Sequence, residues 1–290
     1  YCFPDGQRPG QVDRSDRTIK LVRRSWATHH MVSILAEALL RDYLGFNVEL
    51  VLNTRTGGSF FGNEMVQEHY HVDVENWQTN PGTPNYIQFI ETGLVLLAGP
   101  IGFSGRAGMY IRRDALDHNS MLDYYKIYAN ATDVFPSGIV SHADSPLREV
   151  VAAVGATFPV CSRLELDFCG TGALEGYWAP EKCRSNPNDC AELVHSIPFW
   201  DQGYNEQLIE NNDLSLIVGY YGYDGAIKVL QDQVGTGVAS PFYWWEPDTF
   251  VLSIDGVRIS YPDFFYACDA DNTRSPATGT TACDFPPTQL

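Results

Sequence analysis

The run Thr18-Ile-Lys-Leu-Val-Arg-Arg-Ser-Trp-Ala-Thr28 decides how the chain is read. Thr18 to Val22 alternates in the manner of a strand, and Ser25 to Thr28 reads as the loop entering a helix. From about His29 to Leu44, apolar residues at Met31, Ile34, Leu35, Ala38, Leu39 and Tyr43 recur at helical spacing, which predicts an amphipathic helix. Gly45 stops it, and Phe46 to Leu52 alternates as the next strand. Strand, helix and strand in that order make a β-loop-α-β unit, so the expected fold class is α/β. Trp26 then stands at the carboxyl end of the first strand, where open sheets of this class bind ligands.

The pattern continues outward. Gly58 to Tyr70 predicts a second helix, followed by a buried strand, His71-Val-Asp-Val-Glu-Asn-Trp77, that again ends in tryptophan. Beyond a polar loop with Asn80, Pro81, Gly82 and Pro84, a helix through Ile87, Phe89 and Ile90 leads to a strand from Leu94 to Leu97. The glycine-rich turn Gly99 to Gly108 contains Arg106, and Met109 to Ile111 reads as a strand crossing to a second lobe. Asp114 to about Gly155 reads as helical segments, and 158–190 as a loop-rich insertion. Phe199-Trp-Asp-Gln-Gly-Tyr204 precedes a helical run, Asn205 to Asn212, whose first amides are suited to an anion. Leu214 to Tyr220 predicts a strand, Asp224 to Val234 a helix with Asp224 as N-cap, and Ser240 to Trp244 the last strand.

At 290 residues the chain is large for one core and comfortable for two lobes. Its net charge of -17 argues against nucleic acid or an anionic membrane as partner, because long-range repulsion opposes both. Hydrophobic residues at 44% exclude a disordered chain. Six of the seven cysteines lie in close pairs that suggest local disulfides: Cys161 with Cys169, Cys183 with Cys190, and Cys268 with Cys283, leaving Cys2 over. Zinc-type Cys and His spacings are absent, so no metal and no cofactor are expected. The acceptor motif at Asn130-Ala-Thr132 fits a glycosylated, secreted protein, and the cysteines fit an oxidising compartment. Neither a basic leader with an apolar run nor a run of 18 apolar residues occurs, which reads as a processed, soluble product.

Ser240-Pro-Phe-Tyr-Trp-Trp-Glu-Pro-Asp-Thr-Phe250 sets two tryptophans and a tyrosine before a Pro-Asp turn. Aromatic rings at a strand end offer π faces to an organic cation, each contributing roughly 0.5 to 2 kcal/mol. Neighbouring strand residues face opposite ways, so one of Trp244 and Trp245 at most is expected to reach a given site. Trp178 and Trp244 read as packing residues, and His29 and His30, opening a helix, as surface residues or helix-start packing.

Taken in order, Thr18 to Val22 with Trp26, the helix with Leu44-Gly-Phe-Asn-Val-Glu-Leu50, His71 to Trp77, and Trp245-Glu-Pro-Asp248 resemble a known family. It is that of the substrate-binding proteins for glycine betaine, choline and related osmolytes that serve ABC importers. The resemblance implies the bilobal type II periplasmic-binding-protein fold, with 1–104 plus 240–290 as the first lobe and 105–239 as the second. It also implies an aromatic cage around a quaternary ammonium, to which Trp26, Trp77 and Trp245 match by position and Trp200 is the second lobe's contribution. The family often carries Trp-x-Pro-His near the end of the chain, where its histidine helps to hold the ligand carboxylate. Here Asp248 stands in that place and would repel a carboxylate. Either the carboxylate is held by Arg106 or by amides near Ala27 and Gly203, or the ligand is a plain cation such as choline, or transport-type binding has been lost. The cysteine insertion and the acceptor motif depart from the bacterial pattern and suggest a eukaryotic secreted relative.

The expected function is therefore a secreted binding protein for a small quaternary-ammonium or sulfonium osmolyte, with a membrane transporter or an extracellular assembly as partner. The competing reading is an extracellular structural or adhesive module that has kept the fold and lost ligand capture. No Gly-x-Ser-x-Gly, His-Glu-x-x-His or phosphate loop occurs, so an enzyme is not expected.

Overall fold

A computed structural model describes residues 14–53, 63–77, 86–161, 169–198, 200–201, 203–265, 268 and 281–289. Residues 1–13 with Cys2, residues 54–62, which take in the start of the second predicted helix, the loop with Asn80, Pro81, Gly82 and Pro84, and Phe199 and Gln202 lie outside the described residues. The protein is α/β and divides into two compact units. The first takes in the chain up to Gly105 with Pro247–Thr249 and Thr288–Leu290; the second takes in Arg106–Glu246 and Phe250–Pro287. Residues 242–246 and 256–258 thus belong to the second unit. The reason is pairing: Phe242 to Glu246 and Gly256 to Arg258 are both laddered against Tyr110 and its neighbours in that unit's sheet.

In the first unit, β1 (Arg14–Arg23) runs parallel to β2 (Phe46–Leu52), with Ile19 opposite Val48 and Leu21 opposite Leu50. Between them lies α1 (Ala27–Ala38), whose last turn widens through Leu39–Tyr43, where the Leu44 amide reaches back to the Leu39 carbonyl. Gly45, at φ 77°, makes the left-handed turn that releases the chain into β2. The helix is amphipathic in the reverse of the expected sense. Its buried residues are Thr28, His29 and Ser33, while Met31 (58%), Leu35 (59%) and Leu39 (48%) are exposed. Hydrogen bonding explains the inversion, since each inward side chain has a polar partner: Thr28 on Glu75, His29 on Asp73 and Ser33 on the Val22 carbonyl. The stretch 71–77 is not the strand its composition suggests. It meets β1 through one bridge, Leu21 to Val72, and then bends away, carrying Asp73 and Glu75 inward. The strand expected at Leu94 to Leu97 does not form either.

The second unit holds a mixed sheet whose strands run in the order β4-β6-β5-β7-β3-β8: β3 (Ser104–Arg112), β4 (Tyr177–Trp178), β5 (Ala191–His195), β6 (Leu216–Tyr220), β7 (Phe242–Glu246) and β8 (Gly256–Arg258). At its centre β5 is parallel to β6 and to β7, and the outer pairings are antiparallel. All five residues of β5 and of β6 are buried, as strands covered on both faces must be. Three helices matter here: α2 (Leu147–Ala153), α3 (Tyr204–Asn211), which joins β5 to β6, and α4 (Gly222–Asp232), which joins β6 to β7 and packs on α2. Because β6 and β7 lie on opposite sides of β5, the chain leaves β5 in one direction and returns in the other. That reversal opens the carboxyl ends of these strands, where His195, Tyr220 and Trp245 stand, to whatever covers them. Tyr221 precedes the first residue of α4, so Asp224 sits inside its first turn rather than at the cap. Cystines join Cys161 to Cys169, Cys183 to Cys190 and Cys268 to Cys283.

Candidate ligand site

In the first unit, one oxygen of Glu75 collects three donors. The Trp26 indole N–H donates to Glu75 Oε1 at 2.9 Å, the Trp77 indole N–H at 2.8 Å and the Thr28 hydroxyl at 2.9 Å. Glu75 is 1% exposed, whereas both tryptophans are half-buried, so a hidden carboxylate carries two indoles that still reach solvent. Two ring systems 51 positions apart in the chain are thereby fixed to a single point.

A second layer holds the two segments together. Arg24 donates to Asp73 Oδ2 at 2.9 Å and to the Tyr70 hydroxyl at 3.0 Å, and His29 Nε2 meets Asp73 Oδ1 at 2.9 Å. Burial works to raise the Asp73 carboxyl, but the His29 hydrogen bond and the Arg24 charge outweigh it and hold Asp73 below the usual carboxylate range. Arg24 also lies over the Trp26 ring, 5.9 Å from its centroid, and the His29 ring meets Trp26 edge-on at 4.9 Å. Of the two readings, His29 is the helix-start packing residue: it is fully buried and bridges Asp73 and the Arg24 amide.

Ser33, His29 and Asp73 follow the order of a nucleophile, base and carboxylate, with Ser33 Oγ 3.0 Å from His29 Nδ1. The chemistry does not follow from the order. Ser33 and His29 are both 0% exposed, and the Ser33 hydroxyl donates to the Val22 carbonyl, so no acyl group can reach it. The Arg24 amide donates to His29 Nδ1, which assigns the ring proton to Nε2, facing Asp73. The relay is a brace.

The second unit gathers its own aromatics. Trp200 meets Trp245 edge-on at 4.8 Å, Trp245 stacks on Trp244 at 4.8 Å, and Tyr223 lies 5.6 Å from Trp200 and 5.8 Å from Trp244. Trp244 and Trp245 therefore share one cluster despite the alternation of the strand, their indoles lying face to face. Trp244 (0%) and Trp245 (6%) are buried; Trp200 alone of the three is half-buried. Trp178 is buried in β4, in keeping with a packing role.

The loop before α3, α3 itself and the start of β5 carry acid groups. Asp201 accepts the Asn205 amide at 2.8 Å and the Gly203 amide at 3.3 Å, so the start of α3, read as suited to an external anion, already holds an anion of its own. Gly203 is accordingly not free to grip a ligand carboxylate. Burial, aided by the Asp201 charge, pushes the Glu206 carboxyl well up, and Tyr220 donates to it. Further in, Glu192 accepts from Ser145 at 2.7 Å and Tyr221 at 2.8 Å, and burial pushes its carboxyl up to about 7. Gly219 leaves room for that cluster: a Cβ there would come within 2.6 Å of Glu192.

Two further residues singled out from the sequence behave differently. Arg106, one of the alternatives for a ligand carboxylate, pairs with Asp284 at 2.9 Å. Asp248 is 2% exposed. Asn130 is exposed in a short turn, where the Thr132 hydroxyl donates to its side-chain oxygen at 2.9 Å. Among the described residues no group of three or more His, Cys, Asp or Glu side chains is arranged for a metal, and no helix is long and apolar enough to cross a membrane. Sequence reasoning missed Glu75, Asp73, Arg24 and Thr28. The available signal was the placing of Asp73 and Glu75 on alternate positions of an otherwise apolar run.

No protein-family model and no curated protein matches the chain. Among solved structures, the chain is similar to lactococcal OpuAC in its closed-liganded conformation complexed with glycine betaine. There the identity is 12% and the TM-score 0.47, over 94% of this chain and 76% of that one. It is also similar to the glycine betaine/L-proline-binding protein ProX of an ABC transporter from Borrelia burgdorferi, at 11% identity and a TM-score of 0.47, over 94% of this chain and 75% of that one.

Proposed function

We propose that the protein is a secreted binding protein for a small quaternary-ammonium or sulfonium compound, on a two-unit α/β frame of the periplasmic-binding-protein type. Trp26 and Trp77 supply the first-unit part of its recognition surface. The observation that carries this reading is the pair of half-buried indoles locked to Glu75. Indole rings held at their N–H edges by a carboxylate suit a cation at the ring face, and the Arg24 guanidinium already lies 5.9 Å from the Trp26 ring centroid. Two rings give ~1 to 4 kcal/mol, against the roughly 8 kcal/mol that a micromolar complex needs. The carboxylate and further contacts make up the difference. The three cystines fit an oxidising extracellular or periplasmic setting, and a membrane transporter or an extracellular assembly is the corresponding partner.

Calorimetric titration with choline, glycine betaine and dimethylsulfoniopropionate tests the proposal. Binding of at least one of these, weakened tenfold or more by Trp26→Ala and by Trp77→Ala, is the expected result. Silence from all of them in a folded protein would favour a structural or adhesive module instead.

A further inference from the structure

Glu75 also bears on which onium compounds the site accepts. Its Oε1 serves three donors, while its Oε2 is buried and has no hydrogen-bond partner among the described residues. All three donors to Oε1 are neutral groups, so none of these bonds cancels the charge. Arg24, two positions before Trp26, pairs with Asp73 and donates to Tyr70. A carboxylate placed behind two indole N–H groups increases the electron density of both rings, because each N–H is polarised toward the anion. The same charge acts on a ligand resting on those rings. It attracts the onium head and repels any carboxylate attached to that head by one or two carbons.

We infer that Glu75 is the specificity-determining residue of this site, and that the ligand class is a plain organic cation without a carboxylate, of the choline or tetramethylammonium kind, rather than a zwitterion. The inference rests on the onium reading of the Trp26 and Trp77 pair and narrows it. Two features of the molecule agree. One nitrogen of Arg106 and the Gly203 amide, which the sequence offered as carboxylate holders, already serve acids of the protein itself. The net charge of -17 also favours the approach of cations over zwitterions.

The experiment compares ligands of one shape and different charge by isothermal titration: glycine betaine against its methyl ester, with choline and tetramethylammonium alongside. On the unaltered protein the ester, choline and tetramethylammonium bind at least tenfold more tightly than glycine betaine. In Glu75→Gln, which keeps an acceptor for the indoles, choline affinity falls about tenfold and the gap between betaine and its ester closes. Betaine binding as tightly as its ester to the unaltered protein would overturn the inference while leaving the onium reading intact. So would an undiminished gap in a folded Glu75→Gln protein. Absence of binding by every onium compound would remove the onium reading itself, and this inference with it. The ester comparison needs no variant, so it decides the matter even if Glu75→Gln does not fold.

Discussion

The two units each bring tryptophans together, by opposite means. In the first, Trp26 and Trp77 are joined through their N–H groups to the buried Glu75, and the rings remain half-exposed. In the second, Trp244 and Trp245 are joined through their faces at 4.8 Å and are buried. Anchoring by the polar atom leaves the rings half-exposed, whereas anchoring by the π surface buries them. Ring count therefore says little about a site; where the indole nitrogen is tied says more.

Removing single rings is the hardest test of this contrast. Trp244→Ala should cost about 3 to 5 kcal/mol in urea unfolding, the usual penalty for emptying a fully buried aromatic site, with onium affinity little changed in the protein that still folds. Trp26→Ala should do the reverse, losing about 1 kcal/mol of stability with the Glu75 hydrogen bond and tenfold or more of affinity. A large affinity loss from Trp244→Ala at intact fold would break the comparison.

Acid groups extend the contrast to pH. In the second unit Glu192 has a folded pKa of about 7, raised from 4.5 by burial, and Glu206 is raised in the same direction. A raised carboxyl favours the proton in the folded state, so its contribution is complete below about 4.5 and is lost as pH rises through about 7, a loss of about 3 kcal/mol for Glu192. In the first unit Asp73 is lowered, so its contribution is present above the ordinary carboxylate range and is lost as pH falls through the lowered value. Hydrogen exchange, corrected for its intrinsic pH dependence, should show β5 and β6 loosening towards alkaline pH and β1 and α1 loosening only in strong acid. Glu192→Gln should flatten the first trend and leave the second. Parallel trends in both units would remove the electrostatic half of the contrast.

Periodicity made the α/β class and the first β-α-β unit legible, because β2 occupies the very residues whose alternation announced it and α1 begins within two residues of the expected start. What periodicity could not convey is which face of α1 points inward. Met31, Ile34, Leu35 and Leu39 form a proper apolar stripe, yet the inward face is chosen by Asp73 and Glu75, about 45 positions along the chain. The same remote acids hid the role of His29. Trp26 and Trp77 could be picked out one by one as strand-end aromatics. Their joining at Glu75 depends on the bend after Val72, which a run read as a continuous strand conceals.

The smallest expected effect concerns Arg106. It pairs with Asp284 through a single nitrogen, at 2.9 Å, and its side chain is 40% exposed. The same carboxylate is also held by Arg258, at 2.7 Å to one oxygen and 3.2 Å to the other, and by the Phe285 amide at 2.8 Å. Deleting Arg106 therefore strands no charge, since Asp284 keeps its more buried partner, and solvent screens what the exposed pair contributes. Arg106→Ala should cost no more than about 0.5 kcal/mol in unfolding, with unchanged affinity for choline. A selective loss of glycine betaine binding in this variant would place a ligand carboxylate on Arg106. It would also reverse the assignment of ligand charge, because Asp284 would then have to yield its cation to the ligand whenever the site fills.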